Sequence, residues 1–286
     1  MQKLSSHVYF IEGERKGKYP FCNCLFIKDS KSSLIDTGAG EMIKDVKADF
    51  VFNSHWHEDH ITYNKHFNKI CIHEQDSKAL ESYEEFKRRY GLSDELLSHF
   101  IYFEFSKVNV EFKDKDQFKL GKTMVKVIHT PGHSKGHCCF LIDDDNVKVI
   151  YLGDIDLTSF GPWYGCLDCN LDDFIESINK VMRIVESENV EIAVSSHREI
   201  VRGVENIVGS LKNYLEKIAE RENKILNLLI NERKIEDLIG KGIIYKRFGE
   251  PKEAFEHFEK IMIKQHLDRL MKIGMIDKTY DKYVKL

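Results

Sequence analysis

The chain has 286 residues, of which 42% are hydrophobic and 11% aromatic, and its formal net charge at pH 7 is −4. This length suits one large domain or one domain with a smaller one, and the composition excludes a mainly disordered chain. The small negative charge does not favour a general affinity for nucleic acid. We find no secretion signal and no apolar run long enough to cross a membrane, so we expect a cytoplasmic protein.

Short apolar runs of strand length dominate the first two hundred residues. They are rich in β-branched and aromatic residues, and helical spacing of apolar residues marks 174–186 between them. The segment 76–106 is also predicted to be mostly helical. The predicted strands lie at 7–11, 24–28, 32–36, 50–54, 69–73, 124–128, 138–142, 149–154 and 191–196. This alternation predicts a layered α/β fold in which helices cover the sheets.

The pattern changes near residue 205. Residues 204–230 predict one or two long helices, followed by short helices and a β-wing at 274–285. From Ser210 onward there are 17 basic and 13 acidic residues, a net charge of +4, which leaves −8 for residues 1–209. We therefore predict a first domain over 1–204 and a small helical, winged-helix-like domain over 205–286.

The seven cysteines are an odd number in a chain without an export signal, which favours free thiols. The CLDC motif, from Cys166 to Cys169, could be a redox pair or half of a structural zinc site. Since no second pair accompanies it, the motif alone does not predict a zinc site.

The stretch from Asn53 to Asn64 reads NSHWHEDHITYN and is crowded with side chains that can bind metals. Clustered imidazoles and carboxylates repel or desolvate one another unless a cation compensates them. The candidates in this stretch are His55, His57, Glu58, Asp59 and His60.

Three later segments each place one more candidate ligand at the end of a predicted strand. His133 lies in HTPGHSKGHCCF, Asp154 in YLGDID and His197 in VSSHRE. Five histidines and two aspartates exceed the four ligands that one zinc ion usually takes. The sequence therefore predicts two metal ions that share one carboxylate.

These positions resemble the metallo-β-lactamase superfamily, whose HxHxDH signature matches His55, His57, Asp59 and His60. The resemblance implies an α/β fold of the αββα type, with two mixed sheets between outer helices. It also implies that His55, His57 and His133 hold the first metal, that Asp59, His60 and His197 hold the second, and that Asp154 bridges them. The expected cofactors are two Zn²⁺ ions, with Fe or Mn as alternatives.

The resemblance further implies a metal-dependent hydrolase in which a metal-bridging hydroxide attacks the substrate. Asp59 and Asp154 are the expected catalytic residues, because they would orient that nucleophile. Zinc β-lactamases lack an aspartate equivalent to Asp154, and flavin-coupled di-iron reductases carry Glu in place of His57. Both differences disfavour antibiotic hydrolysis and the reduction of oxygen or nitric oxide.

The C-terminal part resembles that of the β-lactamase-like protein 2 group, which includes an endoribonuclease, whereas glyoxalase II-like relatives hydrolyse thioesters. The substrate is thus an RNA-like phosphodiester, bound as single-stranded nucleic acid, or a thioester or other small ester. A predicted helix face with Gln265, Arg269 and Lys272 would suit phosphates, and the opposite face, with Ile263, Leu267 and Leu270, is expected to enter the core. One alternative is a nucleic-acid-binding module on a catalytically idle metal scaffold. Another role for the C-terminal part is homodimerisation.

Several further residues have two interpretations each. His137 either fixes the tautomer of a ligand or is a buried histidine with satisfied hydrogen bonds. Arg198 either meets an anionic substrate or lies on the surface. Trp163 and Tyr164 either line the substrate pocket or pack in the core. Glu58 is expected to cap a helix or to face solvent, and Asp36 is expected to bond turn amides beside the site.

Overall fold

The computed structural model describes residues 1–286 and contains two large mixed sheets. The first sheet has seven strands whose spatial order follows their order in the chain. Neighbouring strands are antiparallel up to the fourth strand and parallel from there on. The strands are β1 (Gln2–Lys3), β2 (Val8–Ile11), β3 (Cys24–Ile27), β4 (Ser33–Ile35), β5 (Phe50–Phe52), β6 (Ile70–His73) and β7 (Val110–Phe112).

The second sheet has six strands in the spatial order β13-β12-β11-β10-β9-β8. Only β11 and β12 are parallel neighbours. The strands are β8 (Gln117–Lys119), β9 (Met124–His129), β10 (Cys138–Asp144), β11 (Val147–Tyr151), β12 (Ile192–Val194) and β13 (Val201–Arg202).

Helices and helical turns connect the strands and cover the sheets. The α-helical segments are α1 (Glu14–Gly17), α2 (Glu58–Ile61), α3 (Ser77–Glu81), α4 (Tyr83–Tyr90), α5 (Asp94–Leu97), α6 (Leu171–Ser187), α7 (Val204–Leu228) and α8 (Lys252–Lys272). Short 3₁₀ helices lie at Glu41–Asp45, Asn64–His66 and Ile235–Leu238. Within α1, Arg15 and Lys16 have left-handed backbone angles, so this segment is a tight turn. None of the helices is both long and apolar enough to cross a membrane.

The alternation of side chains along β10 shows how the layers are built. Cys138, Phe140 and Ile142 belong to the apolar layer between the two sheets. Cys139 and Leu141 point the other way and join the layer formed with α6 and α7. Such alternation follows from the two-residue period of a strand that is buried on both faces. The predicted αββα architecture with two mixed sheets is confirmed.

The C-terminal part consists of α7, α8 and a small antiparallel sheet with the order β14-β16-β15. Its strands are β14 (Arg233–Lys234), β15 (Ile276–Thr279) and β16 (Lys282–Lys285). Ile263, Leu267 and Leu270 of α8 are buried, as the sequence predicted. They join the apolar layer that covers the second sheet. The winged-helix assignment and the boundary at residue 205 remain predictions.

Several predicted elements differ in detail from the observed ones. The segment predicted to be mostly helical, 76–106, contains only the three short helices α3, α4 and α5. The strands β1, β7, β8 and β13 were not predicted. Their residues are mostly exposed or half-buried, so they lack the apolar runs that predicted the equally short β4, β5 and β12.

Candidate metal centre

The candidate ligands come together at one edge of the two sheets. β5 ends just before His55, and β11 and β12 end just before Asp154 and His197 respectively. His133 lies in the turn between β9 and β10. Strand ends are rigid positions from which several loops can direct side chains to one point. The structure brings all seven predicted ligands together there.

Three imidazoles form the first ligand group. The distances are 3.0 Å from His55 Nε2 to His57 Nδ1, 2.8 Å from His57 Nδ1 to His133 Nε2, and 3.1 Å from His133 Nε2 to His55 Nε2. Zinc–nitrogen bonds of about 2.0–2.1 Å require ligand atoms with a spacing of this order. The three side chains are almost completely buried.

Asp59, His60 and His197 form the second ligand group. Asp59 Oδ2 lies 3.7 Å from His60 Nε2 and 3.4 Å from His197 Nε2. α2 carries Asp59 and His60 in its short helical turn, directly after His57 at the position preceding the helix. The short segment from His57 to His60 therefore supplies ligands to both groups.

Asp154 lies between the two groups and directs one carboxylate oxygen to each. Its Oδ2 atom is 3.3 Å from His133 Nε2 and 4.0 Å from His55 Nε2. Its Oδ1 atom is 3.0 Å from His60 Nε2 and 3.4 Å from His197 Nε2. The arrangement is that of a carboxylate able to bridge two cations.

The charge of the site differs between its two halves. Burial lowers the pKa of His55, His57 and His133, which favours neutral imidazoles. Burial acts in the same direction on His60 and His197. Their carboxylate neighbours outweigh it, and the pKa of His197 is raised to about 10. The carboxylates of this half thus favour a positive charge between them, which a bound metal ion would supply.

Two buried atoms lack the hydrogen bonds that burial normally requires. His60 Nε2 and Asp154 Oδ1 are close together, yet neither takes part in a hydrogen bond. Buried polar atoms are generally paired, so unpaired ones require an explanation. Together with the nitrogen and oxygen donor set, this pair fits a site for divalent cations.

Backbone carbonyls orient two of the ligand imidazoles. His133 Nδ1 donates to Trp163 O at 2.9 Å, and His197 Nδ1 donates to Gly17 O at 2.7 Å. These bonds leave Nε2 of each ring as the atom that faces the other ligands. Gly17 has φ = +66°, and a Cβ atom there would meet Asn23 Oδ1 at 2.5 Å, so the turn requires glycine.

Asp36 contributes more than the turn contact that the sequence suggested. It accepts a bond from the Ser54 amide, as expected, and also one from His60 Nδ1 at 2.7 Å. The Tyr151 hydroxyl donates to the same carboxylate at 2.8 Å. Because Asp36 is fully buried, its charge directly stabilises the orientation of the His60 ring.

The His57 ring nitrogen that points away from the other ligands, Nε2, lies close to a sulfur atom. Cys166 Sγ lies 3.6 Å from His57 Nε2, and Cys169 Sγ donates to His133 O at 2.8 Å. Burial raises the pKa of both thiols. The CLDC motif therefore lies against the first ligand group, a position that its spacing in the sequence did not indicate.

His137 lies behind Asp154. Its Nε2 atom accepts a hydrogen bond from the Asp154 amide at 3.0 Å, while Nδ1 contacts Thr130. Burial lowers the pKa of His137 to about 3, so the ring is neutral. It positions the backbone of a candidate ligand instead of fixing the tautomer of another histidine.

For two substrate candidates the structure favours the structural interpretation. Tyr164 is fully buried, and its hydroxyl lies 2.6 Å from His266 Nε2 and 3.0 Å from Arg221 Nη1. It therefore contacts the C-terminal helices and not a substrate. Arg198 is exposed and donates to Leu157 O at 2.6 Å, which agrees with the surface interpretation.

Glu58 also differs from the expectation of a cap or a solvent-facing side chain. It is buried, and its carboxylate accepts hydrogen bonds from Tyr19 and Tyr90 at 2.8 Å and 2.5 Å. Burial and the neighbouring Asp59 raise the pKa of Glu58 to about 7. The expectation considered only the position of Glu58 at a helix start. It could not include the two tyrosines, because they are distant in sequence.

The predicted cationic face of α8 is paired within the chain. Arg269 bonds Asp172 at 2.7 Å and Glu222 at 3.1 Å, and Lys272 bonds Asp172 at 3.0 Å. Gln265 accepts a bond from the Leu171 amide. These contacts attach α8 to the start of α6, so the face carries little free charge for phosphates.

Comparison with known proteins shows one family and a consistent fold. Residues 18–197 match the model described as the metallo-beta-lactamase superfamily. A metallo-beta-lactamase family protein from Thermus thermophilus has a similar structure, with a TM-score of 0.75 at 18% sequence identity, and the alignment covers 99% of this chain and 100% of that one.

Several curated relatives have thioesterase names, among them the following two. One is acyl-coenzyme A thioesterase MBLAC2 of Gallus gallus, 24% identical over 57% of this chain and 61% of its own length. The other is the atrochrysone carboxyl ACP thioesterase of Passalora fulva, 23% identical over 80% of this chain and 63% of its own length. The chain thus spans less than two thirds of each.

Proposed function

The chain belongs to the metallo-β-lactamase superfamily, and on that premise we propose that it is a dinuclear metal-dependent hydrolase of thioesters or related small esters. The two ligand groups and the shared carboxylate would hold two divalent cations, for which zinc is the first candidate. Hydrolase chemistry in general is supported by the relatives named above.

The observation that carries the proposal is the orientation of Asp154. Its two oxygens lie 3.3 Å from His133 Nε2 and 3.0 Å from His60 Nε2, in different ligand groups. A carboxylate that served a single ion would have no reason to contact both groups. The unpaired buried atoms His60 Nε2 and Asp154 Oδ1 add to this support.

When bound, two such cations supply Lewis acidity and make a water nucleophilic near neutral pH. The residues of the chain then have three tasks. Asp59 and Asp154 orient the attacking water by accepting its hydrogen bonds. Asp36 and the Gly17 carbonyl keep the His60 and His197 rings directed at the site. Trp163 packs its ring 5.5 Å from that of His57 and restricts the entry of bulk water on this side.

The substrate would approach on the side of the second ligand group. The side chains of His197 and Asp154 are 14% and 13% exposed, whereas those of His55 and His60 are completely buried. A small opening of this kind suits the carbonyl group of an extended thioester. The names of the two thioesterase relatives point to the same bond.

A phosphodiester substrate has less support. The helix face that would hold a polynucleotide is neutralised by Asp172 and Glu222. The intact set of seven candidate ligands argues against the alternative of a catalytically idle metal scaffold that binds nucleic acid.

The test is one zinc-reconstituted sample assayed on an acyl thioester, on a simple carboxylic ester and on single-stranded RNA, with its metal content measured by elemental analysis. We expect close to two ions per chain and turnover of the thioester that disappears on metal removal. Saturation at one ion would refute the dinuclear assignment. Cleavage of RNA without hydrolysis of any ester would refute the thioesterase assignment.

A further inference from the structure

A cavity of about 650 Å³ lies between α7 and residues 243–247, which follow the 3₁₀ helix Ile235–Leu238. Its walls are formed by α7 from Lys217 to Lys224, by residues 243–247, and by Ser159 and Phe160 from the loop after Asp154. Ligand pockets of small molecules have volumes of this order. Neither ligand group of the metal centre contributes to the lining.

The cavity is strongly cationic. Five basic side chains line it, against the single acid Glu220: Lys217, Arg221, Lys224, Lys246 and Arg247. Glu220 pairs with Lys217 at 2.7 Å, so one charge is matched. Like charges gathered around one cavity repel one another, and an anionic ligand relieves that repulsion.

The unmatched cations are held in two ways. Arg221 is buried and donates to Pro162 O at 2.5 Å and to Phe160 O at 2.7 Å, which fixes its position without neutralising it. Lys246 and Arg247 are exposed and form no ion pair. The pocket thus combines one buried, rigidly held guanidinium with exposed cations at its rim.

Aromatic rings form one side of the same cavity. The rings of Phe160 and Tyr245 have centroids 5.6 Å apart, with an angle of 31° between their planes. The guanidinium of Arg221 lies 4.9 Å from the Phe160 centroid. Phe160 is 36% exposed, so a planar ligand could stack on it. Aromatic and guanidinium surfaces beside free cations are what a nucleotide requires for its base and its phosphates.

The cavity is connected to the metal centre through two side chains. The Trp163 indole nitrogen donates to the Tyr245 hydroxyl at 2.7 Å. The Trp163 ring in turn lies 5.5 Å from the His57 ring and 5.8 Å from the His133 ring. Trp163 is only partly buried, so an elongated ligand that passes over its exposed side could place one end in the cationic cavity and the other at the candidate ligands.

We propose that this cavity binds the phosphorylated nucleotide end of a coenzyme A thioester, whose pantetheine arm reaches past Trp163 to place the thioester carbonyl at the metal centre. The proposal rests on the hydrolase function given above and names its substrate class. A 3′-phosphate and a diphosphate supply negative charges for the four unmatched cations, and adenine supplies the plane for Phe160. The cavity holds one nucleotide, not a chain.

Binding can be tested apart from catalysis by titrating the full-length, metal-loaded protein with free coenzyme A and with pantetheine in a calorimeter. We expect coenzyme A to bind and pantetheine to bind at least tenfold more weakly. The variant Lys246→Glu/Arg247→Glu should weaken binding of coenzyme A on the order of 10- to 100-fold. The matched control Lys31→Glu/Lys122→Glu changes the net charge equally at two exposed lysines outside the cavity and should bind like the wild type.

Turnover supplies the second arm of the test. Acyl-coenzyme A should show a raised KM in the cavity variant, whereas the N-acetylcysteamine thioester of the same acid, which lacks the nucleotide, should be hydrolysed unchanged. Equal binding of coenzyme A and pantetheine, or equal loss in the cavity and control variants, would overturn the proposal. Displacement of coenzyme A by a tighter-binding single-stranded RNA would also overturn it. Cavity-dependent binding without hydrolysis of any thioester would refute the proposed function and leave the binding site standing.

Discussion

The two ligand groups of the metal centre are built from different chemistry. The first contains three imidazoles, and burial keeps their pKa low enough for neutral donors. The second group includes the carboxylate of Asp59, and the carboxylate of Asp36 supports its His60 ring. The neighbouring carboxylates raise the pKa of His60 and His197. The first group is closed to solvent, while His197 is partly exposed.

This difference suggests a division of labour. Neutral, buried imidazoles would hold a cation with little exchange, because burial separates it from bulk solvent. The carboxylates of the second group would compensate a cation that is closer to water and substrate. Each of the following experiments perturbs one of the two ligand groups, or both.

Asp154→Ala should have the largest effect, since it removes the carboxylate whose two oxygens face the two groups. Metal content and thioester turnover should fall together, and turnover should fall by more than the roughly 10- to 100-fold typical of outer-shell changes. The matched control is Asp143→Ala, which removes an exposed carboxylate from β10. Full activity of Asp154→Ala would show that this residue does not link the groups.

Asp36→Asn should weaken the second group selectively. The substitution removes a buried charge 2.7 Å from His60 Nδ1 while keeping the size of the side chain. We expect metal affinity at one site per chain to fall on the order of 10- to 100-fold, with the other site unchanged. Metal titration followed by calorimetry would distinguish the two sites. An equal loss at both would contradict the assignment of Asp36 to the second group.

Gradual removal of metal should also separate the groups. During dialysis against increasing chelator, the ion of the partly exposed second group should leave first, and the ion held by His55, His57 and His133 should leave later. Elemental analysis at intermediate chelator concentrations should therefore find a plateau near one ion per chain. A single-step loss of both ions would show that the groups are equivalent or tightly coupled.

Cys166→Ser should have the smallest effect. The thiol is a weak hydrogen-bonding partner at 3.6 Å from His57 Nε2, and a hydroxyl can replace it. We expect at most about a tenfold change in metal affinity at the first group, since outer-shell changes begin at this size. The spectrum of the cobalt-substituted protein gives a readout that a packing defect elsewhere would not move. An unchanged spectrum and affinity would remove Cys166 from the support of His57.

Much of the fold was predictable, because the long strands carry a clear pattern. β10 and β11 are apolar on both faces, and α6 has apolar residues at helical spacing, so their types follow from periodicity. The number of candidate ligands and their places at strand ends followed from the sequence, and their division into two groups followed from the resemblance to the metallo-β-lactamase superfamily. The short strands gave no comparable signal.

The residues that hold the candidate ligands in place were less predictable, because their contacts join parts of the chain that are far apart in sequence. Nothing near Glu58 indicates that Tyr19 and Tyr90 hold its carboxylate, and no motif marks Cys166 as a neighbour of His57. The face of α8 was predicted correctly as cationic on the side opposite Ile263. Asp172 nevertheless pairs with Arg269 and Lys272 and neutralises their charge. This contact depends on the packing of α8 against α6, so the sequence did not predict it.

The hydrogen bond from His197 to the Gly17 carbonyl spans 180 positions of the chain. The turn that contains Gly17 is made early in synthesis, yet its partner emerges from the ribosome only after both sheets are nearly complete. All three histidines of the first group have been synthesised by residue 133, so a nascent chain can complete that group well before the second. The order of translation thus gives the two halves of the site different opportunities to acquire their ions.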